Sequence, residues 1–91
     1  MQKFSHVIRD AEGLHARPAG MLVKCAQGCG SQVTMTTSDG TSADAKRLFA
    51  VMKLGVRQND SVTITVAGPD EDSDSEKLKA FCEANLYGKF G

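Results

Sequence analysis

The chain has no tryptophan and a single tyrosine, Tyr87, beside four phenylalanines. That is too few rings for a surface that stacks nucleobases. Neither charge is in surplus, since eleven Lys and Arg residues balance eleven Asp and Glu. A protein held to nucleic acid mainly by phosphate neutralisation needs a basic excess, so that class is excluded, although a small local positive site is not. No apolar run approaches the roughly 20 residues that span a bilayer. The opening Met1-Gln2-Lys3-Phe4-Ser5-His6 goes directly into alternation, without the apolar core of a signal peptide. Cysteine is scarce and odd in number, with Cys25, Cys29 and Cys82 only, which is no framework for a disulfide-stapled secreted domain. The expectation is a cytoplasmic protein with no membrane insertion and no nucleic-acid partner.

What is present is ordinary for a soluble domain: 91 residues, 41% hydrophobic and 24% charged. A chain of this length buries roughly 60–70% of its extended surface, enough for one modest core, so residues 1–91 are expected to form one domain. Residues 3–8 alternate, with Phe4, His6 and Ile8 on one face, as in a strand. A loop through Asp10 and Gly13 follows. Pro18 marks the first turn of a helix, which Ala19, Leu22, Val23 and Ala26 continue at helical spacing before Gly28 and Gly30 end it. Residues 32–37 alternate again, Asp39-Gly40 signals a hairpin, and a short strand is expected near 40–43. A short helix over 47–53 closes at Gly55. Val62, Ile64 and Val66 alternate with hydroxyl residues across a strand at 61–66. A last helix over about 71–86 carries a stripe of Leu78, Phe81, Cys82 and Leu86, and the acidic run Asp70–Glu76 sits at its dipole-positive start. The order βαββαβα implies an α+β two-layer open-faced sandwich, a four-stranded antiparallel sheet with three helices on one face.

The informative segment is Gly13-Leu14-His15-Ala16-Arg17-Pro18-Ala19. It sets a histidine just before a helix start, where unpaired backbone N–H groups and the dipole form an anion site. The dipole favours the neutral, nucleophilic imidazole. A phosphoryl group accepted by that ring would land on the N–H groups, and Arg17 could add charge-assisted hydrogen bonds. Pro18 sets the backbone in advance. No second ligand stands at a metal-binding spacing from His15. Local physics alone leaves a plain solvated loop histidine as the competing reading.

The seven-residue motif resembles the active-site signature of HPr, the histidine-containing phosphocarrier family of the bacterial sugar phosphotransferase system. The segment Lys46-Arg47-Leu48-Phe49-Ala50-Val51-Met52-Lys53-Leu54-Gly55 is similar to that family's second helix, and the resemblance covers essentially the whole chain. It implies an HPr-like fold and a phosphoryl relay without a cofactor. Enzyme I, charged by phosphoenolpyruvate, would phosphorylate His15 on Nδ1, and an enzyme IIA domain would receive the group. Position by position, His15 is the implied phosphoacceptor, with Ala16 and Arg17 binding the phosphoryl group. Such a chain is a stoichiometric carrier, not an enzyme, and is expected to be monomeric.

Many relatives carry a regulatory serine just after the lysine that opens the second helix. Arg47 stands there instead, so no serine switch is expected, and Asp44 could cap that helix or pair with Arg47. Leu48, Phe49, Val51, Met52 and Leu54 cannot all point inward from one short helix. Some are expected to be exposed near the His15 loop, and with Gly20, Met21, Lys24 and Arg47 they form the implied docking surface for enzyme I and enzyme IIA, or for a transcriptional regulator. Two alternatives remain: a paralogous carrier in a regulatory branch, and a regulator-binding module that transfers nothing. Cys25 and Cys29, four apart, could share a helix face but make an incomplete zinc site. Cys82 is expected in the core, and His6 as a partly buried structural residue. Asp10 and Glu12 are expected to be solvated loop residues.

Overall fold

The computed structural model describes residues 1–8 and 12–85, with the side chains of residues 84 and 85 left aside. Asp10 and the tail from Leu86 lie outside the described residues. Four strands, β1 (Gln2–Val7), β2 (Gln32–Thr37), β3 (Ser42–Asp44) and β4 (Ser61–Ala67), alternate with three helices, α1 (Ala16–Gln27), α2 (Leu48–Lys53) and α3 (Glu71–Asn85). The sheet is antiparallel throughout, in the order β1-β4-β2-β3. The open-faced α+β sandwich is therefore as expected.

The period-2 pattern of β4 explains its central place. Val62, Ile64 and Val66 are buried, while the intervening threonines are half-exposed. Pairing carries the same face across the sheet: Ile64 lies opposite Phe4 on one side and Met35 on the other, and Val66 lies opposite Val33. The helices close over that face. In α1 the buried residues are Pro18, Ala19, Leu22, Val23 and Ala26, one stripe at helical spacing. Val51 is the buried residue of α2, and Leu78 and Cys82 are the buried apolar residues of α3. Phe81 and Leu48 pack against this core from its margin. Among the described residues no helix is long and apolar enough to cross a membrane.

Three local details refine or correct the sequence reading. The Asp39-Gly40 hairpin closes with Gly40 N–H on Thr37 O at 3.0 Å and Thr37 N–H on Thr41 O at 2.8 Å. Only Gly40 has a positive φ, 91°, so this is a three-residue loop with a bulge rather than a two-residue turn. That loop takes up residues 38–40, and β3 begins at Ser42 instead of 40. α1 ends at Gln27, so Cys29 lies beyond the helix and Cys25 and Cys29 do not share a helix face. Third, one member of the acidic run faces inward. Asp74 is buried and its carboxylate accepts the Ser31 N–H at 3.0 Å, tying the start of α3 to the loop after α1.

Candidate functional site

The site begins with Gly13. Its φ of +70° is a conformation that favours glycine, and a Cβ placed there would meet Val56 O at 2.4 Å and Arg57 Cα at 2.8 Å. The adjacent Leu14 is buried, and its N–H donates to Val56 O at 3.1 Å. The loop before α1 is thus stitched to the loop after α2. That second loop is itself braced: Asp60 accepts the Arg57 N–H at 2.8 Å, and Ile8 N–H donates to Asp60 O at 2.9 Å. Asn59, at φ 71°, returns an N–H to Ile8 O. Gly13 opens the motif read from sequence, but its partners Val56, Asn59 and Asp60 are not singled out there, because the contacts join segments distant in the chain. The one sequence signal is the pair of turn-forming residues, Gly13 and Asn59.

His15 sits on this platform as the N-cap of α1, with φ −84° and ψ −177°, and its side chain makes no capping hydrogen bond. Its backbone carbonyl accepts the Ala19 N–H at 3.0 Å, the first intrahelical bond. Ala16 and Arg17 occupy the first two helical positions, where an N–H has no intrahelical carbonyl to meet. Pro18 is third, where a missing N–H removes no helical bond. The imidazole is part-exposed, at 32% of its side-chain surface, and Glu12 Oε2 lies 3.7 Å from Nε2. Arg17 is exposed. The arrangement supplies a reachable ring nitrogen, backbone donors and an exposed cation at one end of one helix.

The second segment lies mostly at the other end. Gln27 Nε2 donates to Lys46 O at 2.9 Å, whereas Leu14 meets Val56, so α2 runs antiparallel to α1. With 12 residues in α1 at ~1.5 Å each, the two ends stand about 18 Å apart. Arg47 is the N-cap of α2 and therefore lies at the end remote from His15, as does the first turn with Leu48 and Phe49. Met52 is in the last turn of α2. Leu48 is half-buried against the core, while Phe49 is 80% exposed. Of the side chains expected on the docking face, Met21, Phe49 and Met52 are exposed, with Gly20 half-buried and Lys24 exposed on α1. Asp44 does not cap α2. Its Oδ1 accepts the Lys46 N–H at 2.9 Å, and Oδ2 stands 3.9 Å from Arg47 Nε. A shallow groove of about 540 Å³ runs between Gln27, Lys46, Arg47, Phe49 and Lys53.

The cysteines offer no competing nucleophile. Burial pushes the thiols of Cys25 and Cys29 up from their ordinary value, with Asp74 adding to the effect on Cys29. Burial pushes Cys82 up to about 12. A thiol so raised is protonated at neutral pH and inert as a nucleophile. Among the described residues no group of three His, Cys, Asp or Glu side chains could hold a metal ion. His6, on β1, is half-buried.

Comparison with known proteins converges on one family. Residues 2–84 match the family model described as the PTS HPr component phosphorylation site. The phosphocarrier protein HPr of Mycoplasma genitalium is 38% identical over 85 residues, covering 93% of this chain and 97% of that one. The multiphosphoryl transfer protein of Salmonella typhimurium is 38% identical over 84 residues, which make up 90% of this chain and 22% of that longer protein. Among solved structures, the histidine-containing phosphocarrier protein of Mycoplasma superposes with a TM-score of 0.86 at 31% identity, covering 93% of this chain and 97% of that one.

Proposed function

The chain belongs to the HPr phosphocarrier family of the phosphotransferase system, and from that premise we propose that His15 accepts a phosphoryl group from phospho-enzyme I and yields it to an enzyme IIA. The observation that carries this reading is the position of His15. It caps α1 with its ring part-exposed, directly before the first-turn N–H groups of Ala16 and Arg17. A phosphoryl group on the ring brings negative charge to the dipole-positive end of a 12-residue helix. Arg17, exposed and two positions on, can swing to its oxygens as a planar, permanently charged donor. The ring lone pair attacks phosphorus as the bond between phosphorus and the donor breaks, and the reverse exchange delivers the group onward. The phosphoryl group must leave as readily as it arrives, so a half-exposed site held by a few donors suits a carrier better than an enclosed pocket.

In this reading the protein is a monomeric cytoplasmic carrier that turns over only by exchange with its partners. Gly20, Met21, Lys24, Phe49 and Met52 supply an exposed, partly apolar face for transient docking, and Leu48 supports it from the core margin. Arg47 extends this face with positive charge at the remote end of α1. Arg47 has no hydroxyl to modify, which favours a carrier free of a serine switch, in a sugar-uptake or a regulatory branch alike. The test is a reconstituted relay: labelled phosphoenolpyruvate and enzyme I charge the chain, then an enzyme IIA is added. Label moving through the chain to enzyme IIA, and not through a His15→Ala variant, supports the proposal. Transfer that is indifferent to His15 overturns it.

A further inference from the structure

One side chain reaches the imidazole without a part in the relay described above. Glu12 Oε2 lies 3.7 Å from His15 Nε2. The approach is built by the same turn that seats the histidine, since Gly13 bends the chain at φ +70° and Leu14 is pinned to Val56. We propose that Glu12 is a positioning residue for phosphoryl transfer, holding the imidazole proton on Nε2 so that Nδ1 presents its lone pair. The inference rests on His15 being the phosphoacceptor.

A neutral imidazole carries one proton on one of its two nitrogens, and a carboxylate can only accept a hydrogen bond. Beside Nε2, the carboxylate favours the tautomer with Nε2–H, because the other tautomer would set two lone pairs against each other. Nδ1 is then the nucleophile. It is also the ring nitrogen closer to the main chain, so a phosphoryl group bound there lies nearer the first-turn N–H groups than one bound to Nε2. In the transfer step the Nδ1 lone pair forms the new N–P bond, and the electron pair of the bond between phosphorus and the donor returns to the donor atom. Nε2 keeps its proton, so the ring becomes positive and the adjacent carboxylate offsets that charge. The arrangement has the logic of a carboxylate that orients a catalytic histidine, with a separation that shortens when the donor docks and water leaves. The Glu12 side chain is 75% exposed, so the benefit is screened: on the scale of exposed charge pairs it amounts to about two- to fivefold in rate and narrows as salt is raised.

The experiment compares wild type, Glu12→Ala and Glu12→Gln by two readouts. Nitrogen-15 NMR of the unphosphorylated His15 ring at about pH 8.5, two units above an ordinary imidazole, reports the tautomer. Phosphorylation by enzyme I and phosphoenolpyruvate reports the rate. Glu12→Ala is expected to raise the Nδ1–H population and to slow charging about two- to fivefold. Glu12→Gln keeps a carbonyl acceptor without the charge, so its tautomer stays near wild type and its rate falls between the two. A tautomer ratio unchanged in Glu12→Ala, or a charging rate equal to wild type, overturns the role of Glu12. Failure of the wild type to accept a phosphoryl group would instead overturn the relay itself, and the tautomer comparison would still decide what Glu12 does to the ring.

Discussion

Replacing Gly13 with alanine should damage both stability and phosphoryl acceptance, and its size can be worked out beforehand. The backbone there has φ +70°, which costs an alanine roughly 1–2 kcal/mol. The new Cβ would stand 2.4 Å from Val56 O and 2.8 Å from Arg57 Cα. Both neighbours are backbone atoms, so neither can move aside as a flexible side chain would. Relief requires the two loops to part, which strains the Leu14 N–H bond to Val56 O, a contact worth about 0.5–1.5 kcal/mol net. The sum is about 1.5–3.5 kcal/mol, and its lower end alone lowers Tm by roughly 6–12 °C in a domain of this size. Two other glycines calibrate the reasoning. Gly55 has φ +64° with nothing near its missing Cβ, so Gly55→Ala should cost only the backbone term of about 1–2 kcal/mol. Gly20 is helical with open space around it, so Gly20→Ala should stabilise by about 0.5–1 kcal/mol. Denaturant unfolding of the three variants gives the ranking directly. In Gly13→Ala, still folded at low temperature, a His15 loop displaced from its platform should charge on the order of tenfold more slowly or worse. Equal destabilisation by Gly13→Ala and Gly55→Ala would refute the close approach of the two loops, and with it the platform.

Other consequences are sharp enough to measure. Hydrogen bonding, chiefly from Ser31, holds the Asp74 carboxyl below its ordinary value of 3.8. Its contribution to stability is therefore present above pH 3.8 and is lost as pH falls through the lower folded value. Wild type should exceed Asp74→Asn in stability at neutral pH, with the gap closing in acid unfolding curves. Cys82, raised from 9.0 to about 12, works in the opposite range, with full stability below 9.0 and loss as pH climbs toward 12. In native protein a thiol-alkylating reagent should therefore label Cys25 before Cys82, the latter reacting only on unfolding; early labelling of Cys82 would contradict its burial. Phe49→Glu and Met52→Glu alter exposed positions, so they should shift stability by no more than about 0.5 kcal/mol while slowing exchange with enzyme I or enzyme IIA. Unchanged transfer rates in the folded variants would remove this face from the docking surface.

The periodic parts of the fold were legible because they report burial directly. Val62, Ile64 and Val66 announced an inward face, and the spacing from Ala19 to Ala26 announced a helix with one covered side. The helix start at the candidate site was legible for a related reason: a histidine, an arginine and a proline around it are local, and local geometry is written in adjacent residues. What stayed hidden depends on contacts across the chain. Asp74 stands in a run of acidic residues that reads only as a complement to the helix dipole, yet the loop at Ser31 offers it a backbone donor that only the fold brings near. Gly13 reads as an ordinary loop glycine until Val56 is placed against it. Phe49 is among the apolar residues expected near the His15 loop, yet antiparallel packing of α1 and α2 sets the start of α2 against the far end of α1. Glu12 looked like solvent-facing charge, and only the turn at Gly13 brings it to the ring.

The central claim is that His15 alone carries the phosphoryl group. Intact-protein mass spectrometry after incubation with phosphoenolpyruvate and enzyme I, with His15→Ala alongside, tests it most directly. The account predicts one acid-labile phosphoryl group on the wild-type chain and none on the variant. An adduct that survives acid, or that forms equally on His15→Ala, would contradict it.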